Sequence, residues 1–146
     1  KGLSTENLNQ ALAEILNQEK ASKEDLKEAV KLILAGADVN AKDAYGATAL
    51  MRASGNGYKE IVKILIKAGA DVNMPDQFGY TALMRACQKG CKDIVEILIE
   101  KNASINIRNF LGETAISIAK KHGREDIVQL LQSSVKNDND LSCLLS

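Results

Sequence analysis

One segment of this sequence returns every 33 residues, and that period constrains the fold more than any other feature. Asp43-Ala-Tyr-Gly46-Ala-Thr48-Ala-Leu-Met-Arg-Ala53 recurs as Asp76-Gln-Phe-Gly79-Tyr-Thr81-Ala-Leu-Met-Arg-Ala86. It recurs again as Asn109-Phe-Leu-Gly112-Glu-Thr114-Ala-Ile-Ser-Ile-Ala119. Ile61-Val62, Ile94-Val95 and Ile127-Val128 keep the same offset, as do Gly57, Gly90 and Gly123. Residues 43–75 and 76–108 agree at 17 of 33 positions, far beyond coincidence. A unit this short cannot bury its apolar face alone, so a fixed period means stacked units sharing one continuous core.

Each unit reads as turn, short helix, turn, longer helix. Gly46, Gly79 and Gly112 supply the permissive backbone of a tight turn. Thr48, Thr81 and Thr114 follow at the place where a helix N-cap belongs. The first helix is predicted over 49–54, with a turn near Gly57. In the second, Ile61, Val62, Leu65 and Ile66 form an apolar stripe, and Gly69 ends it. Ala53, Ala86 and Ala119 allow neighbouring helices to approach closely.

These residues resemble the ankyrin repeat. Thr48-Ala-Leu-Met-Arg-Ala53 stands for that family's Thr-Pro-Leu-His-x-Ala signature, with Ala for Pro and Met for His. The Gly-Ala-Asp-Val-Asn ending is intact at 36–40 and 69–73 and drifts to Asn102-Ala-Ser-Ile-Asn106. The resemblance covers residues 26–132. It implies an all-α repeat solenoid of stacked helix-turn-helix ankyrin repeats with protruding β-turn tips, about four repeats including caps.

Residues 1–133 are read as the repeat domain. Its parts are an N-terminal capping repeat (5–42), repeats at 43–75 and 76–108, and a C-terminal capping repeat (109–133). In the first cap, Leu8, Ala11, Leu12, Ile15 and Leu16 share a helical face over 5–18. A second helix starts at Ser22 after a lengthened loop and runs to Gly36. Gln129 and Gln132 suit a solvated terminal face. Residues 134–146 are read as a polar tail or linker, with Leu141-Ser-Cys-Leu-Leu145 either a clasp on the last repeat or the start of another element.

Nothing in the chain assembles into a catalytic centre, so no enzyme activity and no cofactor are expected. His122 is the single histidine and falls in a surface loop. Cys87 and Cys91 are four apart, but Gly90 interrupts their helix and no further ligand is near, so no metal is expected. Asp43 and Asp76 recur at one repeat position, which turn hydrogen bonding explains better than a catalytic pair. Lys63 and Lys67 align with Glu96 and Glu100 and are expected to pair across the stack. Lys+Arg and Asp+Glu both number 19. That balance argues against nucleic acid and anionic membranes as partners, and no apolar run approaches the roughly 20 residues of a membrane span. Three cysteines without a disulfide spacing point to reduced thiols and a cytoplasmic location, or a host cytosol for a secreted effector. The absence of an initiator Met suggests a fragment of a longer protein.

What the repeat does not dictate is where a partner belongs. The family resemblance implies a concave surface made by turn tips and the ends of first helices, used for binding proteins. The tip residues here are Tyr45, then Gln77, Phe78 and Tyr80, then Arg108, Phe110, Leu111 and Glu113. Arg52, Asn56, Arg85 and Lys89 complete the candidate surface from the helices. Four of the five aromatic residues sit on tips, leaving Tyr58 elsewhere, and none is assigned to the core. Tyr and Arg are favoured in binding hot spots. Lys42, Lys89, Arg108 and Lys121 against Glu113 tilt the groove positive, so the expected partner is a protein carrying an acidic-plus-apolar segment. The chain is expected to act as a monomer. Competing readings are an oligonucleotide sensor with bases stacked on the tips, the targeting domain of a larger enzyme, and an inert spacer.

Overall fold

The computed structural model describes residues 4–145, and side chains for residues 4–135. Among the described residues the elements are eight helices: α1 (Thr5–Leu16), α2 (Lys23–Leu34), α3 (Ala49–Asn56), α4 (Lys59–Lys67), α5 (Ala82–Lys89), α6 (Lys92–Glu100), α7 (Ala115–Lys121) and α8 (Glu125–Leu145). Among the described residues there is no strand. Successive pairs α1–α2, α3–α4, α5–α6 and α7–α8 stack in register. The first helices of the pairs pack on one another (α1, then the short α3, α5 and α7), and so do the second helices (α2, α4, α6, α8).

The stacking follows from the apolar periodicity. Leu50, Leu83 and Ile118 lie buried in the short helices, as do the small Ala53, Ala86 and Ala119, none of which is measurably exposed. Ile61, Ile94 and Ile127, with Leu65, Leu98 and Leu131, close the same core from the long helices. Each such side chain contributes on the order of 1.5–3 kcal/mol by leaving water. Thr48, Thr81 and Thr114 cap their helices, each Oγ1 accepting the N–H of N3 (Met51, Met84, Ser117). Gly57 and Gly90 take the left-handed C-cap conformation. Asn side chains tie one unit to the next, Asn40 to Asp71 and Asn73 to Ser104, and Asn9 ties α1 to Asp38 within the first unit, at 2.6–2.7 Å onto backbone N–H groups.

Three expectations need correction. The short helices reach to Asn56 and Lys89, because their left-handed glycine caps lie at 57 and 90. The last helix does not stop near 133. Its backbone continues unbroken to Leu145, beyond the boundary drawn at 133. Lys63 pairs with Glu60 on its own helix at 3.7 Å, and the link across the stack is Lys59 to Asp93 at 3.3 Å. Neither Lys63 nor Lys67 meets Glu96 or Glu100 in an ion pair among the described residues.

Candidate partner-binding surface

The tips are built by one side chain used the same way three times. Asp43 Oδ1 accepts the N–H groups of Tyr45 and Ala47 at 2.9 and 3.0 Å. Asp76 Oδ1 accepts those of Phe78 and Tyr80, both at 2.9 Å. Asn109 Oδ1 accepts those of Leu111 and Glu113 at 3.0 and 2.9 Å. The turn role read from the sequence for Asp43 and Asp76 is therefore what they perform. Their second oxygens do more: Oδ2 of each aspartate takes an arginine from the following helix, Arg52 and Arg85 respectively, both at 2.8 Å. Burial alone raises the Asp43 pKa, but Arg52 and the two backbone donors outweigh it and hold the carboxyl below its usual value.

Adjacent tips are joined backbone to backbone. Gln77 N–H donates to Tyr45 O at 3.1 Å and Phe110 N–H to Phe78 O at 3.0 Å. Glycine makes this approach possible, since a Cβ on Gly46 would stand 2.8 Å from Gln77 N and one on Gly79 would stand 2.9 Å from Asn109 Cα. The result is a rigid row carrying Tyr45 (61% exposed), Phe78 (53%), Phe110 (78%) and Leu111 (75%) into solvent.

Beneath the row lies a cleft of about 670 Å³. Of the residues expected there, Tyr45, Arg52, Asn56, Phe78, Arg85 and Lys89 line it together. Gln77, Arg108, Phe110 and Leu111 stay exposed outside that lining, along the tips. Asn17 and Glu19, from the long loop between α1 and α2, wall the cleft at its N-terminal end. Only the three-dimensional path of that loop reveals them. Tyr58 holds it there, its hydroxyl accepting Ala21 N–H at 3.0 Å and donating to Gln18 O.

Several expected contact residues are occupied within the chain. Tyr80 is half-buried and packed on the core, with the Arg85 guanidinium 4.1 Å above its ring. It is not a free tip residue. Tyr58 is likewise half-buried against the core, so three aromatics stand exposed, not four. Ala47, on the same tip as Tyr45, is buried. Arg52 and Arg85 are committed to Asp43 and Asp76, and Asn56 Nδ2 donates to Leu16 O at 2.7 Å. Glu113 accepts from Asn109 Nδ2 at 3.0 Å and faces Lys121 at 3.5 Å, and these contacts, Asn109 foremost, lower its pKa. Cys87 is fully buried, and desolvation pushes its thiol to about 12.

Residues 19–109 match the family model for ankyrin repeats, in three copies. The chain belongs to the ankyrin repeat family. The fourth helix pair of this ankyrin array lies beyond the matched residues and continues the same 33-residue register. No curated protein matches the chain. Ankyrin repeats generally serve as protein–protein interaction modules. Among the described residues, no helix of the array is long and apolar enough to cross a membrane.

Proposed function

We propose that this ankyrin array binds a partner protein, without catalysis, through the cleft and the tip row above it. The observation that carries this reading is the exposure of Tyr45, Phe78 and Phe110 on a backbone already fixed by tip-to-tip hydrogen bonds. Large apolar groups on a rigid frame lose little freedom on binding, so more of their contact energy appears as affinity. A spacer gains nothing from such rings.

Internal pairing neutralises the cleft arginines, so the rings lead the contact. The exposed Lys89 on the cleft and Arg108 on the last tip favour an acidic-plus-apolar partner segment, with Glu19 setting a limit at the N-terminal end. The test is capture from cell lysate by the chain and by a Tyr45→Ala/Phe78→Ala/Phe110→Ala form, with bound proteins quantified. A protein held by the first and released by the second supports the reading, provided both forms melt alike. Equal capture by both removes the tip row from the function.

A further inference from the structure

A second surface lies on the opposite side of the array, between the long helices of the first two units. Leu26 and Val30 of α2 face Tyr58 and Ile61 across a groove of about 430 Å³ whose wall is almost wholly apolar. Leu34, one further turn along α2 in the i, i+4, i+8 row from Leu26, is 79% exposed. Its exposure has a cause in the sequence. Lys27-Glu-Ala-Val-Lys-Leu-Ile-Leu34 matches Lys59-Glu-Ile-Val-Lys-Ile-Leu-Ile66 at an offset of 32, whereas the capping Gly36 and Gly69 are 33 apart. The helix ends follow the caps: the bonds from Ala37 N–H to Leu32 O and from Ala70 N–H to Leu65 O recur 33 apart, so Leu34 stands where the exposed Lys67 stands one unit later and lies outside the core.

The rim of this groove is basic. Lys23 and Lys27 stand on the α2 side, and Lys59 stands beside Glu60 on the α4 side. Among the described residues neither Lys23 nor Lys27 has an ion-pair partner, and no ion pair crosses from α2 to α4. The next boundary differs: Lys59 crosses from α4 to Asp93 of α6. Tyr58 also marks this boundary, since Cys91 and Arg124 occupy its place in the later units.

The geometry points to a docking groove for one short amphipathic helix of a partner protein, with an apolar stripe flanked by carboxylates. Leu26 and Val30, about 6 Å apart along α2 at 1.5 Å per residue, set the one-turn spacing at which a partner helix would seat its apolar anchors against Tyr58 and Ile61. Helix-in-groove recognition reads such a stripe as spaced apolar anchors, and the unpaired lysines select acidic flanks. The surface is separate from the cleft and stands or falls independently of it.

The test titrates the full chain with a fluorescein-labelled helical peptide of about 16 residues, with leucines on one face and glutamates flanking them. A second peptide carries lysine in place of every glutamate. Saturable binding of the glutamate peptide is expected, with binding about tenfold weaker for Lys23→Glu/Lys27→Glu and for Val30→Gln, and none by the lysine peptide. Phe78→Ala, which disables the cleft, keeps saturable binding, and that binding is weakened in the same way when Lys23→Glu/Lys27→Glu is added. The charge pair is solvent-exposed, so that variant keeps its fold, and matching thermal melts confirm it. Unsaturable binding, equal affinity for the variants, or equal binding of the lysine peptide overturns the proposal. So does loss of binding in Phe78→Ala, which places the peptide in the cleft. A concentration-dependent dimer in sedimentation, abolished by Val30→Gln, also overturns it by making a second copy the occupant.

Discussion

Arg85 Nη2 stands 2.8 Å from Asp76 Oδ2, and the aspartate is buried while the arginine is one-third exposed. The same pair occurs one unit earlier as Arg52 and Asp43. One unit later both members change together, to Ile118 and Asn109, and Asn109 still builds its turn. Removing one partner of a buried pair leaves an uncompensated charge, whereas replacing both with a compatible set is far milder. Arg85→Ile is therefore expected to destabilise by about 1–3 kcal/mol. Asp76→Asn/Arg85→Ile, which installs the last unit's solution, is expected to recover most of that loss. Urea denaturation of the four members of the cycle measures the coupling.

Gly79 and Gly112 share positive φ values of 83° and 78° but differ in surroundings. An alanine at 79 meets the backbone of Asn109, whereas one at 112 meets nothing within 4 Å. Gly112→Ala is expected to cost about 1 kcal/mol from backbone strain alone. Gly79→Ala adds the clash, breaks the tip-to-tip bond from Phe110 N–H to Phe78 O, and costs roughly twice as much or more. Thermal melts of the two variants give the ordering.

Asp43 links stability to acid. Its folded pKa lies below the ordinary value of 3.8, so its contribution is complete above that value and fades as pH falls through the folded pKa. Asp43→Asn removes a proton-binding group that the unfolded chain protonates first. The variant is expected to be less stable than the parent at pH 7 and to lose less stability between pH 5 and about pH 3. Denaturation midpoints across that window check both parts.

Cys87 is expected to be inert in the native state. Its thiol is buried and pushed up to about 12, so almost no thiolate exists at neutral pH. Labelling with a thiol reagent, followed by peptide mass analysis, should find position 87 unmodified until denaturant is added. Modification of Cys87 at the rate of an exposed thiol contradicts its burial.

The fold was legible because stacked units write their structure as a period. The caps at Thr48, Thr81 and Thr114 and the buried Ile-Val pairs follow from that period alone. The surface was less legible, because exposure depends on what lies across space. Tyr45 and Tyr80 fall only two positions apart in the repeat register, yet Tyr80 lies beneath Arg85 while Tyr45 projects outward. Asn56 reads as free until its partner, the Leu16 carbonyl forty residues away, is seen. The Asp–Arg pairing had a readable signal in the joint change at 109 and 118. The wall made by Asn17 and Glu19 had none, since an unpatterned loop carries no register.

Site-specific photo-crosslinking tests the cleft and its tip row most directly. Benzoylphenylalanine replaces Phe78 in one form of the chain and the exposed Lys67, on the opposite side of the array, in another. Irradiation in lysate is expected to join a defined protein to the chain through position 78 and not through 67, with the adduct lost when Tyr45 and Phe110 are both alanine. Adducts of equal yield from both positions, or from 67 alone, contradict the assignment of partner binding to the cleft and its tips.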